Sequence, residues 1–329
     1  MTEHATAAMS NQPQQVQLVY AMPSPQPDDE IDLGQIWAAL WAGKWWIILS
    51  CMLATVVAAA IVITMPNIYR AKVVVAPSEE AQGGGLGAMA GQLGGLASLA
   101  GIDLKGNKVD KAAYAQEVVK SRAFVVDFIK RHELLVPLMA AEGWRPESDT
   151  LVINEDIYDE VSQTWVRKVK PPQAPKPSDW EAFDAFQKTY TVMQDKRSGM
   201  VTISVEHYSP TLAATWASLL VADINSAMRQ ADVNEAKRSI DFLKEHLNKT
   251  NVAEVQKIFY QLVEQQTKTI MLAEVRPEYV FKTVDPAVAP EKIEKPKRTL
   301  IVALATIVGG MLSTLVVLVR SFRQKPAGM

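Results

Sequence analysis

The stretch WWIILSCMLATVVAAAIVITM, from Trp45 to Met65, contains 21 residues and no charge. A second run, LIVALATIVGGMLSTLVVLV from Leu300 to Val319, contains 20 residues and is also uncharged. A helix rises 1.5 Å per residue, so about 20 residues cross the ~30 Å hydrocarbon core of a bilayer. Both runs are therefore predicted to be transmembrane helices, the alternative being buried core helices of a soluble protein.

The positions of these two runs predict the domain organisation. Two spans place both chain ends on the same side of a membrane, and residues 66–299 on the other side. Because 44 residues precede Trp45, the first run is not typical of a signal peptide. We expect residues 1–31, rich in Gln, Pro, Ala and Ser, to be a disordered tail, and residues 320–329 to be a second, short tail.

Residues 32–44, directly before the first run, have two interpretations. Asp32 has the side chain of an N-cap, and four apolar residues then share one face of a short helix: Ile36, Trp37, Leu40 and Trp41. An amphipathic helix of this kind lies on the surface of a membrane. The alternative is that these residues are the fraying start of the first span, and the sequence favours neither.

Charge does not decide which side of the membrane residues 66–299 occupy. Basic residues occur on both sides of each span, and long loops are translocated largely regardless of their charge. The single cysteine, Cys51, lies inside the first apolar run, so residues 66–299 contain none. This segment is therefore compatible with an oxidising compartment such as the periplasm.

Residues 66–299 have the sequence patterns of an α/β domain. β-Branched residues predict a first strand at Tyr69–Ala76, and two alternating runs around a turn predict a hairpin within residues 189–207. A last strand is expected at Tyr279–Val284. Since the first and last strands adjoin the two spans, we expect them to pair with each other. Apolar stripes predict two further helices, Lys111–Ala141 and Ile157–Val169.

A helical arm is predicted at about residues 211–273. Ser209 and Pro210 suit the N-cap and the first position of a helix that runs to about Asn248. Its apolar stripe is dense in the first half and thin in the second, which is typical of a helix that projects from its domain. A second helix follows at residues 252–273, so the arm is either a hairpin or one kinked helix. Four residues are candidate arm contacts with a neighbouring protomer: Arg229, Ile240, Leu243 and Leu247.

No catalytic, metal-binding or cofactor-binding constellation is recognisable in the sequence. The four histidines are scattered, without the spacing of metal ligands. The stretch GGGLGAMAGQLGGLASLAG, from Gly83 to Gly101, fits G-x-G-x-x-A, but acidic residues precede it and no βαβ repeat follows. A membrane-anchored nucleotide-binding enzyme is therefore the less favoured interpretation. A net charge of −2 gives no indication of nucleic-acid binding.

Five short segments occur in a distinctive order along the chain. They are Tyr69-x-Ala71 directly after the first span, LASLAGIDL at 96–104, Ser209-Pro210, EYVFKTVDPAVAPEKIEKPKRTLI at 278–301, and Gly309-Gly310 in the second span. In this order the chain resembles the Wzz-type chain-length determinants, the polysaccharide co-polymerases of bacterial inner membranes. Some relatives carry a fused tyrosine kinase; the chain has no G-x-x-x-x-G-K-[ST] motif, so we expect no fused kinase here.

The resemblance implies both a fold and a function. The implied fold is membrane-anchored α/β, with two transmembrane helices flanking a periplasmic α/β base domain, a protruding long-helix arm and cytoplasmic termini. The implied function is that of a non-catalytic, ring-like homo-oligomer. It acts with the O-antigen polymerase on lipid-linked polysaccharide to set the modal length of the lipopolysaccharide O-antigen. Capsule, exopolysaccharide or another surface glycan is the alternative target.

Two more sets of candidate residues lie at or near the second span. Gly309, Gly310 and Ser313 are candidates for helix packing against a neighbouring protomer or the polymerase, because small residues let helices approach closely in lipid. The segment between the last strand and the second span is expected to be stiff, because proline fixes the backbone. Its three prolines are candidates for a structural junction: Pro286, Pro290 and Pro296.

Overall fold

The computed structural model describes residues 33–78, 110–247, 249 and 252–323. The predicted tail at 1–31 and the Gly-rich stretch from Gly83 lie outside the described residues. The helices are α1 (Leu33–Ala42), α2 (Lys44–Thr64), α3 (Lys111–Lys120), α4 (Arg122–Arg131), α5 (Leu135–Met139), α6 (Asp179–Gln187), α7 (Pro210–Leu247), α8 (Ala253–Val275) and α9 (Arg298–Arg323). The strands are β1 (Ile68–Pro77), β2 (Ala141–Arg145), β3 (Thr150–Ile153), β4 (Tyr158–Asp159), β5 (Thr164–Trp165), β6 (Tyr190–Gln194), β7 (Val201–His207), β8 (Phe281–Asp285) and β9 (Ile293–Lys295).

The described residues form two compact units. One contains the residues up to 56 and those from 304 onward, and the other contains residues 57–303. Helices α2 and α9 are long and apolar enough to cross a membrane, as the two uncharged runs predict. Residues 33–42 form a helix of their own, because the chain turns at Gly43, whose carbonyl accepts hydrogen bonds from the backbone of Trp46 and Ile47. The position of α1 relative to a membrane stays a prediction.

An antiparallel sheet organises residues 57–303. Its strand order is β6-β7-β1-β8, and β9 also pairs with β1. Strand β9 pairs with the first residues of β1, and β8 pairs with its last residues. The predicted pairing of the first and last strands is therefore confirmed, as is the predicted hairpin, which is formed by β6 and β7.

Helices cover the buried face of this sheet. Val201, Ile203 and Val205 of β7 point into the core, and α3, α4, α6 and α7 pack over them. Aromatic rings fill the centre: the ring of Phe186 lies 5.4 Å from that of Phe128 and 6.0 Å from that of Trp216. Buried aromatic pairs contribute about 0.5–1.5 kcal/mol beyond their area burial. The unit is a mixed α/β fold, as predicted.

The helix predicted at Ile157–Val169 is wrong, because this segment contains the β4–β5 hairpin. Asp159 closes its turn: the carboxylate accepts hydrogen bonds from the Val161 amide at 2.9 Å and the Ser162 hydroxyl at 2.6 Å. Aspartate and serine side chains that bond to nearby backbone favour turns over helix interiors. Of the apolar residues whose spacing suggests a helix, Tyr158 and Trp165 lie on the two strands and Val161 lies in the turn between them.

The predicted helix Lys111–Ala141 is divided into three helices and the start of a strand. Ser121 ends α3 and caps α4, since its hydroxyl accepts a hydrogen bond from the Phe124 amide at 3.3 Å. Glu133, with a φ of 53°, lies in the turn before α5. Ala141 belongs to β2. Capping groups inside an apolar stripe thus end a helix without interrupting the stripe.

The predicted arm consists of two helices and not of one kinked helix. Helix α7 has 38 residues, and α8, with 23 residues, packs against it. The first half of α7 is densely buried up to Met228, and beyond it the buried residues are Val233, Ala236 and Leu243. This distribution confirms the predicted thinning of the apolar stripe. Most of the predicted break at residues 248–251 lies outside the described residues.

Candidate interaction surfaces

Gly309 and Gly310 face the other apolar helix of the same chain. A Cβ at Gly309 would lie 2.7 Å from the Cβ of Ala54, and a Cβ at Gly310 would lie 3.1 Å from the Sγ of Cys51. The Ser313 hydroxyl donates a hydrogen bond to the Gly310 carbonyl within α9 at 2.9 Å. The two glycines therefore permit the close approach of α2 and α9. Packing against a neighbouring protomer or the polymerase stays a prediction.

Polar side chains that sequence reasoning missed join the same two helices. The hydroxyls of Thr55 and Thr306 share a hydrogen bond of 2.7 Å. The Ser50 hydroxyl donates to the carbonyl oxygen of Gly309 over 3.4 Å. Hydrogen bonds between helices stabilise helix pairs in lipid by about 0.6–2 kcal/mol each. Small polar residues inside both apolar runs are the signal that could have found this contact.

The three junction prolines flank β9. Pro286 and Pro290 lie between β8 and β9, and Pro296 follows β9 directly. Without an amide hydrogen, these prolines cannot extend the pairing of either strand. The Pro296 carbonyl accepts a hydrogen bond from the Arg298 amide at 2.9 Å, where α9 begins. The prolines thus limit β9 to three residues between the sheet and α9.

A charged cluster beside these prolines joins β1, β7 and β9. Glu206 accepts hydrogen bonds from Arg70 Nε at 2.9 Å and from Lys295 Nζ at 2.6 Å. Arg70 also pairs with Glu294 at 3.0 Å. Burial raises the pKa of Glu206, but the hydrogen bonds from Lys295 and Arg70 outweigh burial, and the pKa lies below its ordinary value. Glu206 therefore stays charged and cross-links three strands.

Asn225 connects α7 to the start of β8 and was not predicted. Its side-chain oxygen accepts hydrogen bonds from the amides of Val280 and Phe281 at 2.9 and 2.8 Å. Its side-chain nitrogen donates to the Phe281 carbonyl at 2.8 Å. Asn225 is 3% exposed, so these bonds satisfy backbone groups that water cannot reach. A lone asparagine in a helical stripe gives no sequence signal for this role.

The four candidate arm contacts have different environments in the helix pair. Leu243 is buried and lies with Leu262 beside a cavity of about 400 Å³ between α7 and α8. Arg229, Ile240 and Leu247 are half-buried. The most exposed apolar residues of the pair are others: Phe242, Ile258, Tyr260, Met271 and Val275. Of these, Ile258 belongs to the apolar face predicted for the second arm helix, and the other four lie outside the predicted stripes. These five side chains offer apolar area to a partner.

The described residues contain no group of three or more His, Cys, Asp or Glu side chains that could hold a metal ion. His207 is a structural residue of the core. Its Nδ1 accepts a hydrogen bond from the Ser209 amide, so Nε2 donates to the Pro137 carbonyl at 3.1 Å. Burial lowers the pKa of His207, which keeps the imidazole neutral. The G-x-G-x-x-A match lies outside the described residues.

Comparisons with known proteins give two family matches. Residues 29–132 match the Wzz family model, "Chain length determinant protein". Residues 244–322 match the GNVR family model, "G-rich domain on putative tyrosine kinase". No curated protein matches the chain.

Two solved structures are similar to the chain at low identity. A full-length bacterial polysaccharide co-polymerase covers 91% of this chain and 100% of its own, with 16% identity and a TM-score of 0.33. A fragment of WzzB, the polysaccharide co-polymerase from Salmonella Typhimurium, covers 70% of this chain and 100% of its own, with 14% identity and a TM-score of 0.27. The family match confirms the resemblance seen in the sequence: the chain carries the chain length determinant domain of the Wzz family, followed by a GNVR domain.

Proposed function

We propose that this protein is a non-catalytic, membrane-anchored oligomer that regulates the chain length of a surface polysaccharide. The match of residues 29–132 to the chain length determinant family carries the proposal. Two apolar helices that flank one α/β unit are consistent with an inner-membrane anchor at both ends. In this role the α/β unit is periplasmic, both termini are cytoplasmic, and the glycan is the lipopolysaccharide O-antigen made by a Wzy-type polymerase.

A second candidate target is capsule or exopolysaccharide. The match of residues 244–322 to a domain described on putative tyrosine kinases favours this candidate, because the description names a kinase and no O-antigen regulator. In both roles the protein is a non-catalytic oligomer that regulates chain length. The glycan on which it acts is the difference that an experiment must resolve.

Deletion of the gene tests the proposal. We expect the O-antigen ladder on a silver-stained gel to lose its modal band, and a plasmid copy of the chain to restore it. Exopolysaccharide from the same cells, sized by gel filtration, is the parallel measurement. A shift in exopolysaccharide size with an unchanged ladder would select the second target. Unchanged lengths of both glycans would contradict a role in length control.

A further inference from the structure

A cavity of about 480 Å³ lies between α4, α5, the β4–β5 hairpin and α6. Sites for small molecules commonly enclose about 300–1,000 Å³. The helices supply an apolar part of the lining, formed by five residues: Val126, Ile129, Leu135, Val136 and Ala182. None of the candidate residues predicted from the sequence lines this cavity.

Two aromatic rings form the hairpin side of the cavity. Tyr158 and Trp165 lie opposite each other across β4 and β5, with ring centroids 5.1 Å apart in an edge-to-face arrangement. Both side chains are half-buried, so each keeps some surface open. The Asp159 turn holds the two strands together, and the rings are therefore positioned before any ligand binds. The faces of aromatic rings attract the C–H groups of a sugar ring, which carry partial positive charge.

Polar groups with balanced charge surround the opening. Lys130 and Asp179 form an ion pair at 2.6 Å, and Glu133 and Lys176 add one charge of each sign. The side chains of Glu133, Lys176 and Gln163 make no hydrogen bond or ion pair with any other residue in the described part of the chain. They therefore offer both donors and acceptors, which suits hydroxyl groups, since each hydroxyl donates and accepts. Balanced charge favours a neutral polyhydroxylated ligand over an ion.

Arg167 holds the segment that contains Lys176 against α6. Its guanidinium donates to both carboxylate oxygens of Glu181 in α6, at 2.9 and 2.8 Å. It also donates to the carbonyls of Ala174 and Pro175 at 2.9 and 2.6 Å. Hydrogen bonding to Arg167 lowers the pKa of Glu181 to about 2, so the pair is charged at physiological pH. Arg167 thus positions Lys176, which follows Pro175 and lines the cavity.

From this arrangement we propose that the cavity binds a short saccharide. Trp165 and Tyr158 contact the sugar ring, while Lys176, Glu133 and Gln163 bond its hydroxyls. The identification of this saccharide as a segment of the regulated polysaccharide rests on the proposed function. Through this site the protein binds the glycan directly, in addition to any contact with the polymerase.

Binding of saccharide fragments to the full-length protein in detergent tests this inference. Lipid-free fragments of the host's O-polysaccharide and of its exopolysaccharide are titrated separately, with saturation-transfer difference NMR as the measurement. We expect fragments of one glycan to bind, and Trp165→Leu to weaken that binding by about tenfold or more, as expected for an aromatic anchor. The matched control is Trp180→Leu, because Trp180 is 62% exposed on α6 and lies outside the cavity lining.

A second variant separates binding from hairpin stability. Lys176 is exposed and Lys176→Met removes a donor without changing the packing of the hairpin. We expect it to weaken binding several-fold at an unchanged Tm. The inference is overturned if neither glycan binds to the wild type, or if Trp165→Leu and Lys176→Met both bind as tightly as the wild type.

This inference and the proposed function can fail separately. If gene deletion changes glycan length but neither glycan binds, the saccharide site is wrong and the proposed function stands. If a glycan binds through Trp165 but deletion leaves every glycan length unchanged, the site stands and length regulation is wrong.

Discussion

Glu206 links three strands at the junction through two ion pairs. It lies on β7 and pairs with Arg70 on β1 and Lys295 on β9. Because its side chain is 15% exposed, these bonds are only weakly screened by solvent. Removing the charge leaves Lys295 without its carboxylate partner. We therefore expect the junction to depend on Glu206 more than on any surface pair.

The pH dependence of unfolding tests this role. The pKa of Glu206 is lower in the folded protein than its ordinary value of 4.5, so the folded state binds fewer protons between the two values. The stabilisation is present above pH 4.5 and is lost as the pH falls through the folded pKa. We expect Glu206→Gln to lower the stability of the full-length protein by about 1–2 kcal/mol at pH 7, measured as the Tm by circular dichroism.

The same scan at acid pH provides the control. The Tm difference between Glu206→Gln and the wild type should shrink below pH 4.5, while other acidic groups with lowered pKa values, such as Asp195, affect both proteins equally. Glu117→Gln removes an exposed pair with Lys120 and should change the Tm little at any pH. A Tm gap for Glu206→Gln that is independent of pH would contradict this explanation.

At the scale of secondary-structure elements, the contact between α2 and α9 is defined by the small residues on both. Gly309 and Gly310 leave room for Ala54 and Cys51, and Thr55 bonds to Thr306. These residues are separated by about 250 positions in the sequence. In lipid, close packing and polar contacts of this kind replace the hydrophobic effect as the force that holds helices together.

A disulfide tests whether this contact lies within one chain. A Cβ at position 310 would lie 3.1 Å from the Sγ of Cys51, a separation that suits a disulfide with its S–S bond of about 2.05 Å. We expect Gly310→Cys to form an intrachain disulfide with Cys51 when membranes are oxidised. After denaturation, the oxidised protein should then take up no PEG-maleimide and should remain a monomer on a non-reducing gel.

Two controls accompany this experiment. Met311 is 68% exposed, so Met311→Cys should leave both thiols open to PEG-maleimide. Adding Gly309→Leu to Gly310→Cys should reduce cross-linking, because a Cβ at position 309 clashes with Ala54. Disulfide-linked dimers would instead show that the glycines face a neighbouring protomer.

At the scale of the whole molecule, the α7–α8 pair offers the apolar surface that an oligomer needs. Phe242 is 60% exposed and Tyr260 is 62% exposed. Leu243, a candidate arm contact, is instead buried within the chain, so its substitution acts through the fold of the pair. Aromatic residues are the commonest anchors of protein interfaces. We therefore expect self-association to depend on Phe242 and Tyr260.

Substitution of these two aromatic residues tests the proposed oligomer. We expect Phe242→Ser with Tyr260→Ser to shift the full-length protein in detergent from its oligomer towards the monomer, measured by light scattering after gel filtration. The Tm should remain near that of the wild type, because neither ring is buried. Tyr114→Ser, on α3 and 53% exposed, is the matched control. An unchanged oligomer mass would place the interface elsewhere.

Much of the fold was predictable because its signals are local. Uncharged runs, strand alternation and Ser209-Pro210 depend on neighbouring residues, and they predicted α2, α9, the β6–β7 hairpin and the start of α7. The helix predicted at Ile157–Val169 is wrong. The apolar residues of this segment have a helical spacing, whereas the Asp159 side chain forms a turn that ends any helix there. Short hairpins held by a single side-chain turn have too few residues for a periodic signal.

The sequence by itself determined which two segments are long apolar helices, where the strands β1, β6, β7 and β8 lie, and which family the chain resembles. Only the tertiary structure decided which surfaces meet: Gly309 against Ala54, Glu206 between Arg70 and Lys295, Asn225 at the start of β8, and Trp165 beside Lys176 in one cavity. Composition and periodicity describe each segment alone. Contacts between residues far apart in the chain depend on the packing of whole elements, which no local pattern records.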